Sequence, residues 1–281
     1  MQRYFVTSEL ENDNDTLAIT GENFHHIARV MRMKESDQVF IVFPSKKTCI
    51  AAITAINEEE VLLNLVKWLE EDTELPIEIT IASGLPKGDK LELIIQKSTE
   101  LGAHKFISYK AERSVVKWDD KKVIKKIERL QKIAQEAAEQ SHRTIIPEVH
   151  YAASFKELMF GHVHYDFVIA AYEESAREGE DSALASLFQT MKPGQSVLCI
   201  FGPEGGISEK ELLLLEEANA KLAGLGPRIL RTETAPLYVL SAASFYFDLY
   251  KIKIVNISKF YTKVNDFMLT MPDVSYIIFN E

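Results

Sequence analysis

The sequence predicts an α/β domain built on a mostly parallel sheet, preceded by a small all-β domain. Three observations carry this. Residues 1–72 hold several short strand-like runs at close spacing, the pattern of a small barrel or sandwich. After Pro76 strand-like and helix-like runs alternate, the pattern of parallel strands joined by helical crossovers. Between the two regions the acidic stretch EEDTELP, residues 70–76, ends in proline and reads as a linker.

In the first region RYFVT and TLAIT are short strand candidates. ENFHHIARVMRMK places Phe24, Ile27, Ala28 and Met31 at helical spacing, and DQVFIVFP, TCIAAITAIN and EVLLNLVKWL follow as three strands. Beyond the linker, IEITIASGL is strand-like, and GDKLELIIQKSTELG is a helix stopped by Gly102, a residue suited to a helix end. KFISYKA is a strand, and KKVIKKIERLQKIAQEAAEQS a long amphipathic helix whose run KKVIKKIERLQK reads as a solvated face, with nucleic-acid contact the second reading. DFVIAAYE, SVLCIFG and LAGLG are strands, separated by helical ALASLFQTM and SEKELLLLEEANA. A helix from Leu237 to Tyr250 closes the series. Residues 251–281 mix strand and helix spacing and read as an appended tail, so the expected division is 1–72, 73–250 and 251–281.

Composition narrows the function classes. The formal net charge of −10 argues against a protein held to nucleic acid by bulk charge, but leaves room for a local basic face. The two cysteines, Cys49 and Cys199, stand far apart in no ligand spacing, which argues for a reducing compartment and no disulfide framework. There is no apolar run of signal-peptide or membrane-span length, so the expected location is cytoplasmic, with no membrane partner. No G-x-x-x-x-G-K-[ST], no G-x-G-x-x-G after the first strand of the α/β region, no H-E-x-x-H and no G-x-S-x-G is present. The pair His25–His26 reads as helix surface, and no metal is expected.

The stretch LCIFGPEGGISEKE, residues 198–211, runs from an apolar strand into glycines and then into a helix start. In a parallel α/β sheet ligands sit beyond the carboxyl ends of the strands. Three loops fall there: AAYEESARE after Ala171, FGPEGG, and GLGPRILRTETAP. Glycine allows close backbone approach and positive φ, and Ser208 with Glu211 has capping-box spacing. A tight turn alone would explain the glycines. A structural connection does not need the two arginines, two threonines and glutamate of RILRTETAP.

KGDKLELIIQKSTELG, FGPEGGISEKE and LGPRILRTETAPLYVLS, in that order, resemble the bacterial 16S ribosomal RNA uridine-N3 methyltransferases (small-subunit methyltransferase E) of the SPOUT superfamily. The resemblance covers roughly residues 1–250, and residues 251–281 depart from it. It implies a PUA-like β-barrel domain, then a trefoil-knot methyltransferase domain, acting as a homodimer on 16S rRNA within the small ribosomal subunit. The implied cofactor is S-adenosylmethionine. Ala171 and Tyr172 of the first loop would border it, with Phe201, Gly202, Pro203, Gly205 and Gly206 giving backbone access. Leu225, Gly226, Ile229 and Leu230 would receive the adenine, and Arg231, Thr232, Thr234 and Ala235 would complete the wall. For the chemistry, Arg231 would stabilise charge on the uracil, and Glu204 or Glu233 would take the proton or orient Arg231. RNA contacts are expected from Arg3, Arg29 and Arg32 in the small domain, and from Lys87, Lys90, Lys97, Arg113 and Arg143 beyond it. The alternatives are a related knotted methyltransferase acting on transfer RNA or a ribose 2′-OH, and a non-catalytic ribosome-assembly factor.

Overall fold

The computed structural model describes residues 1–12, 16–70, 73–161, 164–174 and 183–250. The first sheet has strands β1 (Arg3–Phe5), β2 (Thr16–Ile19), β3 (Gln38–Val42), β4 (Thr48–Ile56) and β5 (Val61–Leu69), in the order β1-β3-β4-β5-β2. Only β1 and β3 run parallel. In β2 Leu17 and Ile19 face inward and Thr16 and Ala18 outward, as period-two alternation requires. Val39, Ile41, Ile53, Val61 and Leu63 meet Tyr4 and Ile27 in a separate core. Ile27 belongs to the π-helical turn His26–Val30, which continues helix α1 (Gly21–His25). Register shifts in β4 between Ile50 and Ala51 and between Ile53 and Ala55 bend the sheet around this core.

The second sheet is wholly parallel. Its strands are β6 (Glu78–Gly84), β7 (Lys105–Tyr109), β8 (Glu148–Ala152), β9 (Phe167–Ala171), β10 (Ser196–Phe201) and β11 (Lys221–Ala223), in the order β11-β9-β10-β6-β7-β8. The helices are α2 (Lys90–Glu100), α3 (Asp120–Gln140), α4 (Phe155–Phe160), α5 (Ala183–Thr190), α6 (Glu209–Glu217) and α7 (Thr234–Ser244), the last continuing as π-helix over Phe245–Tyr250. The chain lays β6, β7 and β8 outward, returns to the far side, and inserts β10 between β9 and β6. Central strands β6 and β10 are buried on both faces, which is why their sequences are almost continuously apolar. Cys199 lies in β10, and burial raises its thiol to about 12, so it is an inert core residue.

Three helix ends share one device. Gly102 after α2, His142 after α3 and Asn219 after α6 adopt φ of +94°, +59° and +52°. Each turn closes with the paired backbone bonds of a Schellman motif, such as Ala103 N–H to Ser98 O and Arg143 N–H to Ala138 O. Only the first end carries the glycine that makes it legible in sequence.

The structure departs from the sequence reading at several points. β8 and α4 had no counterpart in it, and β11 stops at Ala223, leaving Leu225 and Gly226 in a loop. No described helix is long and apolar enough to cross a membrane. The tail at 251–281 lies outside the described residues.

The linker is more than a spacer. Glu74 accepts from Arg143 Nε at 3.0 Å, from Arg143 Nη2, and from the backbone N–H of Thr144 and Ile145. Arg143 is 3% exposed, and its Nη1 donates to Thr99 O at 3.2 Å and Ala103 O at 2.6 Å. Its own carbonyl accepts from Nη1 of Arg3, a residue 2% exposed whose guanidinium lies over Phe40. Arg3 and Arg143, expected to contact RNA, are therefore corrected to junction residues: both are buried where the two sheets meet and present no guanidinium face to a phosphate.

Truncating Arg143 would strand the Glu74 carboxylate and two carbonyls. Breaking a largely buried pair costs about 3–5 kcal/mol. We expect Arg143→Ala to lower the melting temperature by about 10 °C in calorimetry. Arg143→Lys should recover only part of this, because an ammonium cannot reproduce the planar fork.

Candidate functional site

Phe201 pairs in register with Ser83 and Ala171, and Ala171 with Ala223, so β6, β9, β10 and β11 all end at about one level. Their loops converge there. Tyr172 N–H donates to Ala223 O at 3.0 Å, joining the first loop to the third. A small apolar hollow at this edge is lined by Ala171, Phe201, Ala223, Leu225 and Val239, with the buried Ile169, Leu184, Cys199 and Ile200 behind them. It lies beside the point where the strand order reverses, the expected ligand position in such sheets.

The glycine loop is fixed by protein packing. Tyr109, fully buried, donates its hydroxyl to Phe201 O at 3.1 Å just before the loop. Desolvation and then Glu211 push its phenol well above the ordinary value, so it stays a donor. A Cβ at Gly84 would lie 2.6 Å from Pro203 Cδ, one at Gly202 2.9 Å from Gly206 C, and one at Gly205 2.9 Å from Arg113 Cβ. These three glycines are thus required by the protein's own close approach. Gly206 (φ +72°) and Gly226 (φ +85°) differ: a Cβ at Gly206 would meet nothing within 4 Å, and one at Gly226 only Tyr238 Oη at 3.9 Å. The Ser208–Glu211 capping box forms as expected. Glu211 is also buried, and its Oε1 accepts from Glu112 N–H at 2.9 Å, tying α6 to the loop after β7.

Lys90, in the first turn of α2, gathers the two candidate carboxylates. Its Nζ lies 2.9 Å from Glu204 Oε1 and 3.2 Å from Glu233 Oε2. The second contact is an ion pair rather than a directed hydrogen bond, since the buried Oε2 has no hydrogen-bond partner. Lys87 N–H also donates to Glu204 at 3.2 Å. Partial burial disfavours the Glu204 charge, but the hydrogen bonds from Lys90 and backbone outweigh it and hold its pKa below the ordinary value. Glu233 is lowered by its own backbone N–H and then, against desolvation, by Lys90. Lys90 is raised in turn, first by its hydrogen bond with Glu204. Carboxylates stabilised as anions are weak proton acceptors.

Arg231 is exposed and makes no ion pair among the described residues, while its carbonyl accepts from Thr234 and Ala235 N–H at the start of α7. Leu225 lines the hollow, whereas the Ile229 side chain is 73% exposed and does not. Leu230, Thr232 and Ala235 are half-buried beside these residues and Thr234 is exposed. The expected RNA contacts differ in their surroundings. Besides the buried Arg3 and Arg143, Lys90 is paired within the site, Lys97 pairs with Glu100 at 2.7 Å, and Arg113 donates to Gly205 O at 3.3 Å. Arg29, Arg32 and Lys87 are exposed. The sequence reading missed Tyr109 and the pairing of Lys90 with Glu204, because no local pattern links residues 114 apart.

Comparison with known proteins agrees with this architecture. An RNA methyltransferase domain model matches residues 73–244, and an RNA methyltransferase PUA domain model matches residues 19–66. The chain is 49% identical over 251 residues to ribosomal RNA small subunit methyltransferase E of Bacillus subtilis, covering 89% of this chain and 98% of that protein. It is 32% identical to the protein of the same name from Synechocystis, over 80% of this chain and 72% of the relative. The structure of ribosomal RNA small subunit methyltransferase E from Neisseria gonorrhoeae bound to S-adenosyl methionine matches with TM-score 0.77 and 26% identity, covering 88% of this chain and 98% of that one. A putative methyltransferase from Legionella pneumophila in complex with the same cofactor matches with TM-score 0.74 and 28% identity, over 86% and 96%. With a match to an RNA methyltransferase PUA domain in front of a match to an RNA methyltransferase domain built on a parallel sheet, and near half of its residues shared with the Bacillus protein over almost its whole length, the chain belongs to the ribosomal RNA small subunit methyltransferase E family.

Proposed function

We propose that the chain methylates N3 of a uridine in the 16S rRNA of the small ribosomal subunit, with S-adenosylmethionine as donor. The observation that carries the reading is the gathering of the carboxyl ends of β9, β10 and β11 with Leu225 of the third loop around a small apolar hollow, in a family whose Neisseria relative holds this cofactor. The residues fit it. Leu225, Ala171 and Ala223 offer an apolar floor, and Gly206 and Gly226 combine positive φ with open space where a Cβ would stand. The cofactor supplies an electrophilic methyl group on sulfur.

The remaining task falls to side chains. Uridine N3 carries a proton at neutral pH and becomes nucleophilic as that proton leaves. Arg231, exposed and free of ion pairs among the described residues, is assigned to stabilise the negative charge on the uracil oxygens. Glu204 and Glu233 are assigned to hold Lys90 and thereby the second and third loops, with the N3 proton passing to solvent. The target base must leave its pairing partner to expose N3.

Exposed Tyr238, Phe245, Leu249 and Tyr250 lie on α7 and its continuation, directly after the Arg231 loop. A second copy of the chain is assigned to this face, making a homodimer. An acidic chain also favours a shaped substrate, the assembled subunit, over naked RNA.

Leu225→Ala removes part of the proposed floor. Burying one leucine is worth about 1.5–3 kcal/mol, so cofactor affinity measured by calorimetry should weaken about tenfold or more. Unchanged affinity would place the adenine elsewhere. Gly205→Val is a poor test, because its side chain collides with Arg113 whether or not a ligand is bound.

Arg231→Ala should bind the cofactor normally and slow single-turnover methylation of subunits by about 100- to 1,000-fold, the usual loss for one electrostatic donor. Part of that rate should return at high pH, where the uridine ionises unaided. Glu233→Gln should lose much less. Both glutamates have lowered pKa values, so neither changes charge between pH 6 and 9, and the wild-type profile should show no carboxylate limb there.

Phe245→Glu with Leu249→Glu should convert a dimer to a monomer in sedimentation equilibrium. A wild-type monomer at assay concentration would remove the dimer from the reading.

A further inference from the structure

The segment from Lys110 to Lys126 leaves β7 at the same carboxyl edge as the glycine loop. It begins against that loop, where Arg113 Nη1 donates to Gly205 O at 3.3 Å and Ser114 Oγ to Leu85 O at 3.2 Å. It then passes to β8, where Trp118 stacks on Tyr151 with ring centroids 5.2 Å apart. In the strand order β10-β6-β7-β8 this is three strand spacings, roughly 14 Å at about 4.8 Å each. Lys126 Nζ, 5.1 Å over the Trp118 ring, pins the start of α3 to the same place.

The charges along this path are arranged in an uneven way. Lys110, Lys117, Lys121, Lys122 and Lys125 are exposed and make no ion pair among the described residues. Further along α3, away from the carboxyl edge, the cations are neutralised: Arg129 pairs with Glu92 at 2.9 Å and Lys132 with Glu22 at 3.0 Å. Two acids near the unpaired stretch are already engaged, Asp119 in accepting Lys121 N–H and Glu112 in a 2.7 Å pair with Lys210. Lysines in the first two turns of a helix also oppose the helix dipole, so they work against local stability. A chain of net charge −10 thus carries cations unpaired among the described residues along the carboxyl edge that also bears the candidate site, at an electrostatic cost.

We propose that Lys110, Lys117, Lys121, Lys122 and Lys125 form a phosphate track that grips the ribosomal RNA strand leading away from the target uridine. The inference rests on the RNA methyltransferase reading above and adds to it the surface that holds the substrate. Phosphate contacts position a strand without reading its sequence. Here they would set the distance from the gripped strand to the hollow. The sequence reading of this run as a solvated face is thereby revised.

The test is the variant with Lys117, Lys121, Lys122 and Lys125 all changed to Gln, a residue of similar helix propensity. Lys192→Gln/Lys221→Gln, at the opposite ends of β10 and β11, serves as control. Binding to small subunits purified from cells lacking the enzyme is followed against salt. Each single-strand phosphate contact contributes about 0.7 to the log–log slope. The fourfold variant should lose about 2 to 3 from the slope and raise the subunit KM about tenfold or more, with kcat and cofactor affinity within about twofold of wild type. Wild-type slope and KM in the variant, or an equal loss in the control, would overturn the track. A wild-type enzyme that transfers no methyl group to the subunit would instead sink the methyltransferase reading, and the track with it.

Discussion

Backbone packed on backbone at the carboxyl edge is the constraint on which the site depends. Gly84 at the end of β6 and Gly202 and Gly205 in the loop after β10 leave no room for a Cβ, because Pro203, Gly206 and Arg113 stand where it would be. That closeness follows from the strand order, in which β10 is threaded between β9 and β6 long after β6 was laid down. The loop is seated by Tyr109 at its start and by the Ser208–Glu211 box at its end. What remains open is the side toward Leu225 and Gly226. The rigid half of the hollow is therefore supplied by packing and the accessible half by the third loop.

Charge is used differently at three places. At the domain junction, Arg143 is buried with its donors engaged and Arg3 is buried with Nη1 donating to Arg143 O, so their value is geometric: they fix the linker, the end of α2 and β1 in one arrangement. At the candidate site Lys90 sits between two carboxylates, and partial exposure keeps the energetic worth of that triad modest while its geometry ties two loops to α2. Along the path from Lys110 to Lys125 cations stand unpaired in water, the arrangement that suits an external polyanion.

These contrasts bear on mechanism. A carboxylate that receives several hydrogen bonds is a good anchor and a poor base, whereas an exposed guanidinium that makes no ion pair among the described residues can meet charge that appears during reaction. Glu204 and Arg231 lie in neighbouring loops of similar polarity, and their surroundings separate their roles.

The sequence by itself determined the layout. Period-two runs such as TLAI, the continuous apolar runs of β6 and β10, Gly102 and the Ser208–Glu211 spacing are local, and local backbone preferences read them directly. The three loops were legible for the same reason, as composition no connection needs. Only the tertiary structure decided which charges meet. Arg3 and Arg143 look like surface cations in a string of letters, but Arg143 sits in an acceptor cage drawn from Glu74, Thr99 and Ala103, and Arg3 in turn donates to the Arg143 carbonyl. Lys90 looked like an RNA contact and became a clamp because Glu204, 114 residues on, returns to its side. The helix ends at His142 and Asn219 escaped notice because packing, rather than glycine, holds them at positive φ. Chain-local patterns encode the period of an element, but the partner of a charge is set by how distant elements are stacked, and that information exists only in the fold.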